Sequence, residues 1–181
     1  MCRRISYSIH INNKQNIAEG LDFVKISFDL DDTLILTDKG ALHETPVKKF
    51  KAIFYREKLR KGIRNLCEEL KSLGYDICVY TTSERSIGYI RGLFDVYGIK
   101  LCDVINQKVH KDLVQGNRKE IMPSKVPSKF AIYLHIDDDI SVKHNGTQFG
   151  FRVLIISKDD NEWWLKVLNE AKRVKKICDS L

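Results

Sequence analysis

The sequence is poor in the residues that break or cross-link chains. Three prolines and ten glycines in 181 residues argue against a collagen-like or low-complexity chain. The five cysteines, Cys2, Cys67, Cys78, Cys102 and Cys178, are odd in number, widely spaced and without a C-x-x-C pair. They supply neither a zinc knuckle nor an obvious disulfide framework, which leaves reduced core thiols. No histidine cluster suggests zinc. No apolar run approaches membrane-spanning length. The start, Met1-Cys2-Arg3-Arg4 followed by alternating Ile5, Tyr7, Ile9 and Ile11, lacks the unbroken apolar stretch of a signal peptide. The expectation is a soluble, cytoplasmic protein with no transmembrane segment.

What is present is a globular composition, 43% hydrophobic and 30% charged, and a length that suits one α/β domain better than two separate cores. The net charge of +7 favours anionic partners without identifying them, so phosphorylated and nucleic-acid substrates are the ones to consider.

Residues 5–11 alternate as a half-buried strand would, and residues 1–20 read as a peripheral segment ahead of a domain over 21–181. Val24 to Phe28 is a short strand that stops at Asp29. After an irregular region near 37–60, Ile63, Leu66, Cys67, Leu70 and Leu73 predict an amphipathic helix closed by Gly74. Ile77 to Tyr80 is the next strand, and Ile87, Ile90, Leu93 and Phe94 predict a helix opening near Ser83 or Glu84. A third strand is expected over 101–105, a polar connector over 106–128, a fourth strand over 131–136 and a fifth over 151–156. A terminal helix follows Asp159-Asp160, with Trp164, Leu168, Ala171, Val174 and Cys178 near one face. Its basic end, Lys172 to Lys176, reads either as ordinary helix-dipole charge or as an anionic membrane or nucleic-acid contact. Strands alternating with helices imply a single Rossmann-like, three-layer α/β domain around a mainly parallel five-stranded sheet.

Three of these strands run directly into polar clusters: Phe28 into Asp29-Leu30-Asp31-Asp32-Thr33, Tyr80 into Thr81-Thr82-Ser83, and Ile136 into Asp137-Asp138-Asp139. Carboxyl ends of parallel strands share one edge of the sheet, where ligands of such folds bind. If the backbone stays extended, Asp29 and Asp31 project to the same side and suit a shared cation. Clustered carboxylates need a hard cation, a proton on one member, or full solvation, and magnesium is the first candidate. An EF-hand loop is excluded because Leu34 stands where its glycine is required and Gly40 where its glutamate is required. A receiver domain would carry its phosphoacceptor aspartate after the third strand, where Asn106 stands.

These motifs resemble those of the haloacid dehalogenase superfamily of phosphatases and phosphotransferases. Val24 to Leu34 meets the first motif, an apolar strand followed by D-x-D-x-[TV]-[LV]; Ile77 to Thr81 is similar to the second, and Ile136-Asp137-Asp138 to the fourth. The resemblance implies that Asp29 is a nucleophile forming an aspartyl-phosphate and Asp31 a general acid and base. It implies magnesium held by Asp29, the backbone carbonyl of Asp31 and Asp137, with Asp138 acting through water, and phosphoryl contacts from Thr81 and Thr82. Thr81 also reads as a strand cap and Asp138 as part of a solvated turn. The third motif, a phosphate-binding lysine, falls on Lys119, Lys125 or Lys129. Lys125, in Lys125-Val126-Pro127, is favoured.

Family members often carry a specificity cap in one of two intervals, and both are short here, so no large cap domain and an open site are expected. An open site admits phosphate carried on a macromolecule. The layout from Asp29 to Arg60-Lys61-Gly62 resembles phosphatases acting on the carboxy-terminal domain of RNA polymerase II, which makes phosphoprotein the leading substrate. Nucleotide or nucleic-acid phosphate ends, and a non-catalytic phosphate-binding signalling module, are the alternatives. His43 reads as a surface histidine or a substrate contact from the flap, and His135 as a hydrogen-bonded structural residue.

Overall fold

A computed structural model describes residues 24–38 and 40–179. The expected strand over 5–11, the peripheral segment 1–20 and Cys2 lie outside the described residues, as does the side chain of Cys178. Five parallel strands form one sheet in the order β3-β2-β1-β4-β5: β1 Val24–Phe28, β2 Tyr75–Tyr80, β3 Asp103–Ile105, β4 Ile132–Asp137 and β5 Val153–Ile155. The helices are α1 Lys49–Ala52, α2 Ile63–Ser72, α3 Ile87–Val96, α4 Gln107–His110, α5 Ile140–Phe149 and α6 Trp163–Asp179.

Strand alternation builds the layers. Ile26 and Phe28 of β1, Ile77 and Val79 of β2, and Leu134 and Ile136 of β4 face α2, α3 and α6 in the main core. Tyr80 and Ile105 face the other way, as does Ile132 because the register between β1 and β4 shifts before Leu134, and all three pack against Val109 and Phe130. Each buried aliphatic or aromatic side chain contributes about 1.5–3 kcal/mol by leaving water. The chain runs β1-β2-β3 toward one edge and β4-β5 toward the other, so right-handed crossovers put α5 opposite α2 and α3. The direction reverses between β1 and β4, and that switch point lies in the middle of the sheet.

Several boundaries differ from the expectations above. Gly74, at φ +81°, turns the chain so abruptly after α2 that β2 starts at Tyr75 rather than Ile77. Helix α3 starts at Ile87 because Ser83 and Arg85 are spent on a turn: Ser83 N donates to Thr81 Oγ1 (3.1 Å) and Arg85 N to Ser83 Oγ (3.1 Å). Ser86 then caps the helix by accepting from Tyr89 N. Ala131, at φ +56°, closes a 3₁₀ turn, Pro127–Phe130, so β4 starts at Ile132. Strands β3 and β5 are shorter than expected, three residues each. The connector after β3 is partly helical, with α4 and a π turn, Lys111–Gln115.

Helix α5 follows β4 without a signal in the hydrophobic pattern, since only Val142 and Gly146 of it are buried. Gly146 is required there: a Cβ would sit 2.7 Å from the Phe151 carbonyl oxygen. In α6 the inward tryptophan is Trp163, with Val167, Leu168, Ala171 and Val174, whereas Trp164 is 38% exposed and rests on Gly62. Cys67 and Cys78 are buried thiols, but Cys102 is exposed, 3.8 Å from Cys78 Sγ to Sγ. Among the described residues no helix is long and apolar enough to cross a membrane. No large cap domain interrupts the described chain; the interval 37–62 holds the single turn α1 and an isolated pairing of His43 with Arg60.

Candidate active site

The two strands at the switch point carry the acidic cluster. Asp29 extends β1 by one residue, donating its N–H to the Ile136 carbonyl of β4 (2.9 Å). The chain then closes a tight turn in which Leu34 N and Ile35 N both donate to Leu30 O (2.9 and 2.7 Å), with Leu30 and Leu34 fully buried. Asp32 takes φ +55°, a conformation short polar side chains tolerate. This geometry separates the first motif: Asp29 is buried, Asp31 is exposed, and the buried Thr33 donates its hydroxyl to Asp138 Oδ1 (2.9 Å).

Lys125 is the centre of the floor. Its Nζ lies 2.7 Å from Asp29 Oδ1 and 2.6 Å from Asp137 Oδ2, with all three side chains at most 9% exposed. Tyr80, at the end of β2, holds it there: Val126 N donates to Tyr80 Oη (3.0 Å), and that oxygen also lies 2.6 Å from His110 Nδ1. His135 sits beneath, with Nε2 2.8 Å from Asp137 Oδ2 and Nδ1 2.8 Å from Ser27 Oγ. A carboxylate only accepts, so Nε2 carries the proton and Nδ1 accepts from the serine. His135 is thus a hydrogen-bonded structural residue.

Electrostatics divide the carboxylates. Burial raises the Asp29 carboxyl to about 6, against the lowering influence of Lys125. Burial also pushes Asp137 upward, but hydrogen bonding from His135 and the charge of Lys125 outweigh it and bring the group down to about 2. Burial raises Asp138, partly offset by the Thr33 hydrogen bond. Burial pulls Lys125 down, but Asp29 and Asp137 together pull it above the usual lysine range, so it stays charged.

The rim is built from loops. Arg85 binds Asp31 through both carboxylate oxygens (2.7 and 2.9 Å) and Glu57 at 2.5–3.1 Å, and Asn106 Nδ2 donates to its carbonyl (2.9 Å). Thr81 is buried beside the floor's strand ends, donates its N–H to Ile105 O (2.9 Å) and uses its hydroxyl to accept from Ser83 N. Thr82 is exposed at the same edge.

The structure therefore brings Asp29, Lys125, Asp137 and Asp138 together and leaves the Asp31 carboxylate outside that group, so Asp29 and Asp31 do not share a cation through their side chains. Lys119 is exposed, and Lys129 is exposed with its Nζ on Leu113 O. His43 pairs with Arg60 in the interval after the first motif rather than with the carboxylates. Sequence reasoning missed Arg85, Glu57 and the Tyr80–His110 brace. It also read Asp139 as part of the acidic cluster, whereas that side chain caps α5 by accepting from Ser141 N (2.7 Å). A concavity of about 900 Å³ is lined by residues such as Lys61, Asn65, Lys158 and Trp164 and contains none of these carboxylates.

The donor set fits a hard divalent cation. Asp29, Asp137 and Asp138 each offer a carboxylate oxygen, all within 4.8 Å of one another. Asp29 Oδ1 is buried and, apart from the Lys125 ion pair, has no hydrogen-bond partner.

No protein-family model matches the sequence, and no curated protein matches it. Solved structures do. The HAD domain of the effector protein Lem4 from Legionella pneumophila superposes with a TM-score of 0.52 at 12% identity, covering 87% of this chain and 96% of that one. A predicted phosphoglycolate phosphatase from Haemophilus somnus gives 0.50 at 14% identity, covering 83% and 99%. At these identities the likeness is one of architecture, and the described chain has the fold of the haloacid dehalogenase superfamily hydrolases.

Proposed function

We propose that the chain is a magnesium-dependent phosphomonoester hydrolase acting through an aspartyl-phosphate, with phosphoprotein as its substrate and the cytoplasm as its location. The observation that supports this reading is Lys125 Nζ seated between Asp29 and Asp137, with Asp138 beside them, at the carboxyl ends of the two central strands.

In the first step a carboxylate oxygen of Asp29 attacks phosphorus, and the leaving alkoxide takes a proton from Asp31, which carries it on an oxygen freed from the two-point pairing with Arg85. In the second, Asp31 takes a proton from water as the water oxygen attacks the same phosphorus, returning Asp29 as a carboxylate and releasing inorganic phosphate. Lys125 keeps Asp29 in place and contributes positive charge where phosphoryl oxygens gather, and Thr81 and Thr82 supply hydroxyls at the same edge. Asp29, Asp137, Asp138 and the Asp31 carbonyl would hold magnesium, which when bound neutralises charge on the transferring group. The exposed Asp31 and the absence of a cap among the described residues favour a phosphate presented on a large substrate.

Phosphate release from para-nitrophenyl phosphate is expected with magnesium and not with excess chelator or in Asp29→Asn. Phosphopeptides should then be turned over faster than mononucleotides or 5′-phosphorylated oligonucleotides. A folded, magnesium-binding protein that hydrolyses none of them would be a phosphate-binding module instead.

A further inference from the structure

The loop between the first motif and α2 is built inside out. In and around α1 two lysines, Lys48 and Lys51, reach back to bond Asp95 of α3. Ala52 and Tyr55 pack on the core. The outward positions hold the apolar residues: Phe50 is 91% exposed, Ile53 78% and Phe54 77%. Their spacing, i, i+3 and i+4, puts them on one side of the turn. No residue of α1 is buried and Phe50 and Ile53 project from the surface, while Phe54 stands at the edge of an open concavity that it shares with Glu57, Arg85 and Tyr89. Beside this turn in the chain stand exposed Lys49, Arg56 and Lys58, for which the described residues provide no ion pair. Residues 47–61 contain seven basic side chains and one acidic one, Glu57.

A soluble surface turn would place lysine outward and phenylalanine inward. A peptide partner is received in a groove, and single-stranded nucleic acid stacks on aromatic faces, for which Ile53 offers nothing. An apolar knob of two phenylalanines and an isoleucine flanked in the chain by unpaired cations fits the interface of an anionic bilayer: the side chains enter the acyl boundary and the cations meet the headgroups. We propose that the turn carrying Phe50, Ile53 and Phe54 docks the protein on anionic lipid membranes. The docking turn leads within three residues to Glu57, which binds Arg85 and through it Asp31, so the carboxylate edge is brought to the membrane surface.

The test is co-sedimentation of the full chain with vesicles of phosphatidylcholine alone and of phosphatidylcholine with phosphatidylglycerol. Wild type is expected to pellet with the anionic vesicles only, and less so as salt rises. Phe50→Ser/Ile53→Ser, at positions too exposed to carry the fold, should reduce the bound fraction by about tenfold or more while hydrolysing para-nitrophenyl phosphate as wild type does. Lys49→Glu/Lys58→Glu should lose binding as well. Failure to pellet with anionic vesicles, or equal pelleting by the serine variant, overturns the proposal. So does a concentration-dependent dimer that the serine variant abolishes, which would assign the knob to a second copy. Binding of single-stranded oligonucleotide that the glutamate variant alone abolishes would assign the surface to nucleic acid. The assay needs no turnover, so its outcome is separate from that of the phosphatase reading.

Discussion

The floor and the rim of the site use the same chemistry, cation against carboxylate, in opposite surroundings. On the floor, Lys125, Asp29 and Asp137 are at most 9% exposed; the two carboxylates stand at the ends of β1 and β4, Lys125 comes from the connector ahead of the 3₁₀ turn, and the group is braced from below by His135, Ser27 and Tyr80. On the rim, Arg85, Asp31 and Glu57 come from three separate loops, and the Asp31 side chain is 53% exposed. A buried charge that loses its partner has no water to replace it, whereas an exposed one is re-solvated at once. The floor is therefore suited to fixing atoms in place. The rim can open and close around a substrate at little expense in stability.

Removing Lys125 should break the comparison most strongly. Lys125→Ala leaves two buried carboxylates uncompensated and is expected to destabilise the fold by about 3–5 kcal/mol, measured by urea unfolding in chelator. It should also lower kcat by about a hundredfold or more. Lys125→Met, which keeps the stem without the charge, separates packing from electrostatics. Should the methionine variant be as stable and active as wild type, the floor would be no more demanding than the rim.

The pH response sharpens the contrast within the floor itself. The Asp29 carboxyl is raised from its ordinary 3.8 to about 6, so its ionisation opposes folding, and stability should fall as pH rises from about 4 through 6. Asp137, lowered to about 2, acts in the opposite sense: its contribution is complete above its ordinary value and is lost as pH falls toward 2. In chelated protein, Asp29→Asn should therefore gain stability relative to wild type between pH 4 and 7. Asp137→Asn should lose it there and converge with wild type in acid. Parallel pH profiles for wild type and both variants would contradict this division.

Arg85→Ala should have a smaller effect, about 1 kcal/mol in stability because Asp31 is open to water and Glu57 is only partly covered, with about a tenfold fall in kcat from loss of Asp31 positioning. Tyr80→Phe should have the smallest. Losing one hydroxyl under Val126 costs about 1 kcal/mol and should raise KM a few-fold with kcat nearly unchanged, as Lys125 loosens. An Arg85→Ala effect as large as that of Lys125→Ala would mean that the rim is as rigid as the floor.

How much of this was legible in the sequence follows the same division. Strand-borne groups could be read because an apolar run that stops at Asp29, Thr81 or Asp137 marks both an element and its end. The sheet and the floor carboxylates followed from that. Lys125 was one of three candidates, because the hydrogen bond from Val126 N to Tyr80 that selects it joins residues 46 apart. Arg85 left no trace, since its partners lie 54 and 28 residues upstream on loops without periodicity. Helix α5 was invisible for a different reason: only two of its residues are buried, and a buried glycine contributes nothing to a hydrophobic pattern. The exchange of Trp163 for Trp164 shows how one residue of phase is lost when two adjacent large apolar side chains open a helix.

The central claim is that the Asp29 carboxylate becomes covalently phosphorylated. Protein quenched during turnover of a phosphopeptide and reduced with borohydride should yield homoserine at position 29, the product of an acyl phosphate, and none without substrate or in Asp29→Asn. Active protein that yields no homoserine at position 29, or yields it at another aspartate, would contradict the account.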